Sequence, residues 1–175
     1  ASDFSQEWTV LPMVGGTTTD DPTLDLCNGV FLSEKERIGR RQIAVTKAGS
    51  SFAFLSSEVV RYSSAAAATA AQKELVKVFT DCQANKGFKD PTGTLVPYDF
   101  KTLNNIPAGV VSESNRVFVY TNIDSGTNAR TLLGFYQFNG EMFTGLYVLN
   151  TQGFTDAQVA KWLKVAATMA SRLKG

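Results

Sequence analysis

The dipeptide Asn139-Gly140 sits between two runs with alternating apolar residues, Thr131–Phe138 and Glu141–Asn150. Asn-Gly favours the positive φ angles of a tight turn, and alternation on both sides supplies two strands, so this is the strongest hairpin signal in the chain. A hairpin commits the fold to at least one antiparallel pair. Counting back from a two-residue Asn139-Gly140 loop pairs Phe138 with Glu141, Tyr136 with Phe143, Gly134 with Gly145 and Leu132 with Tyr147. Two glycines then face each other between aromatic pairs, which describes a shallow trough with aromatic walls. Leu132, Gly134, Tyr136, Phe143, Gly145 and Tyr147 are therefore a candidate ligand groove. The competing expectation is a helix packed against the glycines and filling the trough.

Other segments extend this pattern. Arg40–Ala48 alternates as a strand, Gly49-Ser50 has the chemistry of a type II′ turn, and Ser51–Tyr62 returns as its partner. That turn pairs Lys47 with Phe52 and Arg41 with Glu58, an opposite-charge cross-strand contact. Further strands are expected over Thr94–Leu103, with Pro97 placing it at an edge or bulge, from Val110–Glu113 and over Arg116–Ile123. A short strand fits Trp8–Met13, and residues 1–20 otherwise read as irregular. Ala65–Ala84 is a helix whose inner face carries Ala68, Ala71, Leu75, Val78, Phe79 and Cys82 at steps of three and four. Thr155–Gln158 forms a capping box before a second helix that buries Val159, Trp162, Leu163, Ala166, Ala170 and Leu173; Ser33–Glu36 fits another box opening one short turn. The expected architecture is α+β over residues 1–175 as one domain: a mostly antiparallel sheet of about six strands and two main amphipathic helices, in the order β-β-α-β-β-β-β-α.

The residue inventory narrows the chemistry. The chain has no histidine, which removes Ser-His-Asp and Cys-His catalysis and the commonest zinc ligand. No phosphate-cradling glycine motif occurs, and the net charge of +1 selects neither nucleic acid nor a membrane surface. No cofactor and no metal are expected. Ser171-Arg172-Leu173-Lys174 matches a Ser-x-x-Lys pattern, but at a fraying C-terminus. Asp20, Asp21 and Asp25 are oxygen ligands at a spacing that fits no calcium loop and suits turns. Asp99, Glu113 and Glu141 are carboxylates that no spacing rule brings together. Arg37, Arg40 and Arg41 are a candidate anion site, set against a solvated strand end with Arg41 paired to Glu58. Two cysteines, Cys27 and Cys82, are compatible with a disulfide or with two buried free thiols. The chain opens Ala1-Ser2-Asp3-Phe4, as expected of a mature exported product or a trimmed chain.

The stretch Asp21-Pro22-Thr23-Leu24-Asp25-Leu26-Cys27-Asn28-Gly29, then Phe31-Leu32-Ser33-Glu34 and Arg37-x-x-Arg40-Arg41-Gln42, resembles a group of exported actinobacterial proteins, often lipoproteins. Some are sensor-domain-like, by analogy with the extracellular domain of the mycobacterial receptor kinase PknH. The Ala-rich helix ending near Cys82 is similar to the same group, so the resemblance covers roughly residues 20–85. It implies export, a Cys27–Cys82 bridge and a ligand-binding or sensory role in the cell envelope without known catalysis, compatible with a lipid anchor upstream. The sensor domain of that receptor kinase has two disulfides and this chain can form only one, so no ligand-cleft residue carries over by position. The expected partner is a small molecule, a glycan or a lipid, or alternatively an envelope protein docked without a small ligand. An unrecognised hydrolase is the third reading.

Overall fold

The computed structural model describes residues 8–47, 52–124 and 129–173. In chain order the elements are β1 (Trp8–Pro12), β2 (Arg37–Lys47), β3 (Phe52–Tyr62), α1 (Ala65–Ala84), β4 (Gly87–Lys89), β5 (Leu95–Phe100), β6 (Arg116–Ile123), β7 (Arg130–Asn139), β8 (Met142–Asn150) and α2 (Asp156–Ser171). Among the described residues the eight strands form one sheet, ordered β1-β2-β3-β8-β7-β6-β5-β4. All neighbours run antiparallel. The α+β class and both helices are as expected, but the sheet has eight strands instead of about six. The two strands beyond that count are the edges: β1, which matches the short strand that fits Trp8–Met13, and the three-residue β4, which is too short to show an alternating pattern. Pro97 lies one strand in from the edge, where it faces Gly87 of β4.

The helices lie on opposite faces of the sheet. Ser64 caps α1 by accepting from the Ala67 amide, and a run of alanines with high helix propensity follows. Ala68, Ala71, Leu75 and Cys82 of α1 pack with Val60, Val119, Tyr136 and Phe143. On the other face Trp162, Leu163 and Ala166 of α2 pack with Leu55, Leu133, Phe135 and Leu146. The Thr155–Gln158 capping box is present. β7 is buried on both faces because its even residues meet one helix layer and its odd residues the other. Each fully buried Leu or Phe here contributes about 1.5–3 kcal/mol.

Several local expectations are corrected. Leu32–Glu36 is a 3-10 turn, but Phe31 occupies its cap position without a side-chain bond. Ser33 instead donates through its amide and hydroxyl to Glu74 Oε2 at 3.1 and 2.7 Å, tying the turn to α1. Val110–Ser112 forms no strand and leads into a 3-10 turn, Glu113–Asn115. The Gly49-Ser50 turn lies outside the described residues. The β2–β3 register differs by one residue from expectation: Gln42 faces Glu58 and Arg41 faces Val59. A one-residue slip exchanges sheet faces, so Glu58 shares its face with Arg40 and not with Arg41.

The β7–β8 loop is Gly140-Glu141, with Asn139 still paired to Met142. Gly140 takes φ +58°, the first central position of a type II′ turn. Tertiary anchors explain the shift. The Asn139 side chain donates to the Leu173 carbonyl at 2.5 Å. Glu141 accepts from the Tyr62 amide at 2.9 Å and from Arg61 Nε at 2.8 Å. The register consequently slides by two residues, which preserves faces but changes partners. Gly134 faces Tyr147, Gly145 faces Tyr136 and Phe138 faces Phe143. The two glycines are not opposed, and the protein's own tyrosines cover them. A Cβ on Gly145 would lie 2.2 Å from Tyr147 Oη, and one on Gly134 would lie 3.0 Å from Tyr136 Cε2. Gly145→Ala is therefore expected to displace the Tyr147 ring and lower stability by about 1–3 kcal/mol, read as a shift of the urea midpoint. An unchanged midpoint would mean that the ring moves aside freely.

Candidate functional site

Residues 13–31 are irregular backbone that crosses the α1 face of the sheet, so their carbonyl groups need donors. Two arginines from β2 supply them. Arg37 donates from Nε to the Glu34 carbonyl, from Nη1 to the Asp21 carbonyl and Thr23 Oγ1, and from Nη2 to the Thr19 carbonyl, all within 2.8 Å. Arg40 donates to the Gly15 and Pro22 carbonyls, to Gln42 Oε1 and to Glu58 Oε1. Glu34 accepts the Thr23 and Leu24 amides. The loop is also pinned covalently: Cys27 and Cys82 form a disulfide with an S–S distance of 2.07 Å.

This arrangement corrects the candidate anion site. Arg37 and Arg40 come together, but both are buried and their donors are directed at protein oxygens. Arg41 is exposed on the other face of β2. The three side chains do not converge on a common anion. The sequence offered no sign of this, because backbone carbonyls in an irregular loop have no sequence signature.

The pinned loop leaves a cavity of about 380 Å³ between itself and the sheet. Its volume lies at the lower end of small-molecule sites. Buried Leu132 and Tyr136 form the floor, with half-buried Phe54, Phe88, Tyr98, Tyr147 and Leu149 as walls. Exposed Asp25, Asn28 and Arg130 stand at the rim. Of the six groove residues chosen from sequence, Leu132, Tyr136 and Tyr147 line this cavity. Phe143 is core instead, its ring 4.9 Å from that of Phe138, and the two glycines lie beneath the tyrosines. Asp25, Asn28, Phe88, Tyr98 and Arg130 were missed because four separate segments bring them to the cleft.

The electrostatics of the cleft are set by burial. Tyr136 is 1% exposed, and burial holds its phenol well above the ordinary range, with the Asp25 charge adding to the shift. Its hydroxyl has no hydrogen-bond partner among the described residues, yet it is not sealed from the cavity. Burial likewise raises the Tyr98 phenol, Asp25 pushing it further and Arg130 opposing. Tyr147 donates to Glu58 Oε2 at 3.4 Å, and burial raises its phenol strongly. All three phenols are therefore neutral donors at physiological pH. Burial also raises the Glu58 carboxyl, against the pull of Arg40. Glu58 is enclosed by Arg40, Thr23 and Tyr147 and does not line the cleft.

A larger and more open hollow of about 600 Å³ lies beyond Cys27 and Phe88, between the end of α1 and β4. Its polar side chains are largely engaged, Asp81 with Lys77 and Asn85 with the Asp81 carbonyl at 2.8 Å. Convergent, unengaged polar groups distinguish a binding site from a surface hollow, and the smaller cleft has them. Among the described residues no group of three or more potential metal ligands gathers.

No family model matches this chain, and no curated protein matches it in sequence. In fold, the chain is similar to the extracellular domain of PknH from Mycobacterium tuberculosis. The TM-score is 0.50 and the sequence identity 8%, over 78% of this chain and 66% of that domain. The chain thus spans just under two thirds of the length of the PknH domain. At this identity the likeness is one of fold, and function has to be argued from the site. The disulfide fits an exported protein, since disulfides persist in oxidising compartments. Among the described residues no helix is long and apolar enough to cross a membrane.

Proposed function

We propose that the chain is a non-catalytic ligand-binding or sensor-like domain of the cell envelope, and that its ligand occupies the cleft between the residue 22–28 loop and the sheet. The observation that carries this reading is the combination of aromatic walls with Asp25, Arg130 and the Tyr136 hydroxyl, none of which has a hydrogen-bond or ion-pair partner among the described residues. Of these groups the Tyr136 hydroxyl belongs to a buried residue, where a polar atom without a partner calls for an explanation. Fold similarity to the extracellular domain of PknH supports the sensory part of the reading. The absence of histidine from the whole chain supports the non-catalytic part.

Native mass spectrometry of protein secreted by its own host tests this. The wild-type chain is expected to carry a small-molecule adduct that Leu149→Trp, a bulkier side chain on the cleft wall, abolishes. A wild-type spectrum without adduct, or an adduct retained by the variant, counts against the cleft.

A further inference from the structure

We infer that the cleft selects a neutral, polyhydroxylated ligand: a sugar ring of an oligosaccharide, bound by one apolar face and several hydroxyls. This rests on the reading of the cleft as the ligand site and adds the chemical class.

Three features narrow the class. The first is the charge balance at the rim. Asp25 and Arg130 both lack an ion-pair partner among the described residues, and both act on Tyr98 with opposite sign. A carboxylate or phosphate ligand would gain from Arg130 but face Asp25, and a cation would meet the reverse conflict. A hydroxyl avoids it, because one O–H can donate to the Asp25 carboxylate while a neighbouring oxygen accepts from the Arg130 guanidinium. Opposed planar groups of this kind suit vicinal hydroxyls, and Asn28 and Gln42 add two more planar side chains to the lining.

The second feature is the wall. The ring centroids of Phe88 and Tyr98 are 5.9 Å apart and those of Tyr136 and Tyr147 are 5.3 Å apart. In each pair the rings meet edge to face, at 63° and 64°, and an aromatic face suits the flat C–H face of a sugar ring. A long acyl chain would need a continuous apolar bore, whereas this lining mixes its aromatic residues with Thr23, Asp25, Asn28, Gln42 and Arg130. The third feature is the floor. The Tyr136 hydroxyl is a neutral group on a buried residue with no hydrogen-bond partner among the described residues, and such a group is costly unless a ligand or water completes it. A sugar hydroxyl completes it as donor or acceptor; a hydrocarbon does not.

The test is a glycan array of neutral and acidic oligosaccharides, followed by titration calorimetry of each hit and of sodium palmitate. It uses the wild-type chain, Tyr136→Phe and Arg130→Gln. Neutral oligosaccharides are expected to bind. Tyr136→Phe is expected to weaken them by about tenfold while leaving the unliganded melting temperature unchanged, since the hydroxyl makes no hydrogen bond among the described residues. If palmitate or only acidic glycans bind, and the substitutions weaken them, the ligand class is overturned and the cleft stands. Neutral glycans that bind all three proteins equally overturn both the class and the site. Silence across the whole array and palmitate overturns the class, and leaves the cleft to be decided by the adduct measurement.

Discussion

Replacing Cys27 and Cys82 together by serine is expected to lower the unfolding free energy by about 4 kcal/mol, because the bond closes a long loop of the unfolded chain. The two cysteines are 55 residues apart, and the loop between them contains β2, β3 and nearly all of α1. The native state adds a local term. Cys27 and Asn28 both have φ of 52°, a left-handed conformation that is costly for a cysteine. Without the bond this corner relaxes, and it relaxes beside the candidate cleft, which Cys27 and Asn28 both line. Urea unfolding should show the full loss in the midpoint with little change in slope. Hydrogen exchange should show more: the Gly29 amide, which donates to the Leu26 carbonyl at 2.9 Å, should lose protection before the sheet does. A double variant with the parent's midpoint would show that burial and the arginine network alone fix the loop.

How much of this was legible in the sequence depended on how local each cause is. Helix α1 follows from its alanine content and the three- and four-residue spacing of Ala68, Ala71, Leu75 and Cys82, all short-range properties. The Thr155–Gln158 box spans four residues and was legible for the same reason. Hairpin register was not, although both hairpins were. Turn chemistry alone favoured Asn139-Gly140, but Asn139 is held in its strand by the Leu173 carbonyl, contributed by the far end of α2. In the first hairpin the deciding interaction is the burial of Glu58 beside Arg40, and a buried arginine is too uncommon to assume from a basic cluster. The cleft was half visible for a related reason. Tyr136 and Tyr147 belong to one hairpin and could be found by alternation, whereas Asp25, Tyr98 and Arg130 meet them only through the full sheet order.

The Arg40–Glu58 pair yields the other large effect. Its side chains are 3% and 0% exposed, with Nε 2.5 Å from Oε1. Removing one member of a buried pair strands the other charge, so Arg40→Ala is expected to cost about 3–5 kcal/mol. The cost should vary with pH in a direction that identifies its source. In the parent, burial already raises the Glu58 carboxyl above its ordinary value of 4.5, and Arg40 restrains the rise. Without Arg40 the folded variant binds a proton over a wider pH range in which the unfolded chain does not. A state that binds more protons gains stability as pH falls, so the deficit of Arg40→Ala should shrink from about pH 7 to about pH 5. Arg40→Met with Glu58→Gln should recover only part of the loss, because the Gly15 and Pro22 carbonyls still lose their donor. Arg41→Ala, on the exposed face, should change stability by no more than about 0.5 kcal/mol. A deficit for Arg40→Ala that stays constant with pH would show that the arginine stabilises through the loop carbonyls alone, with Glu58 protonated throughout.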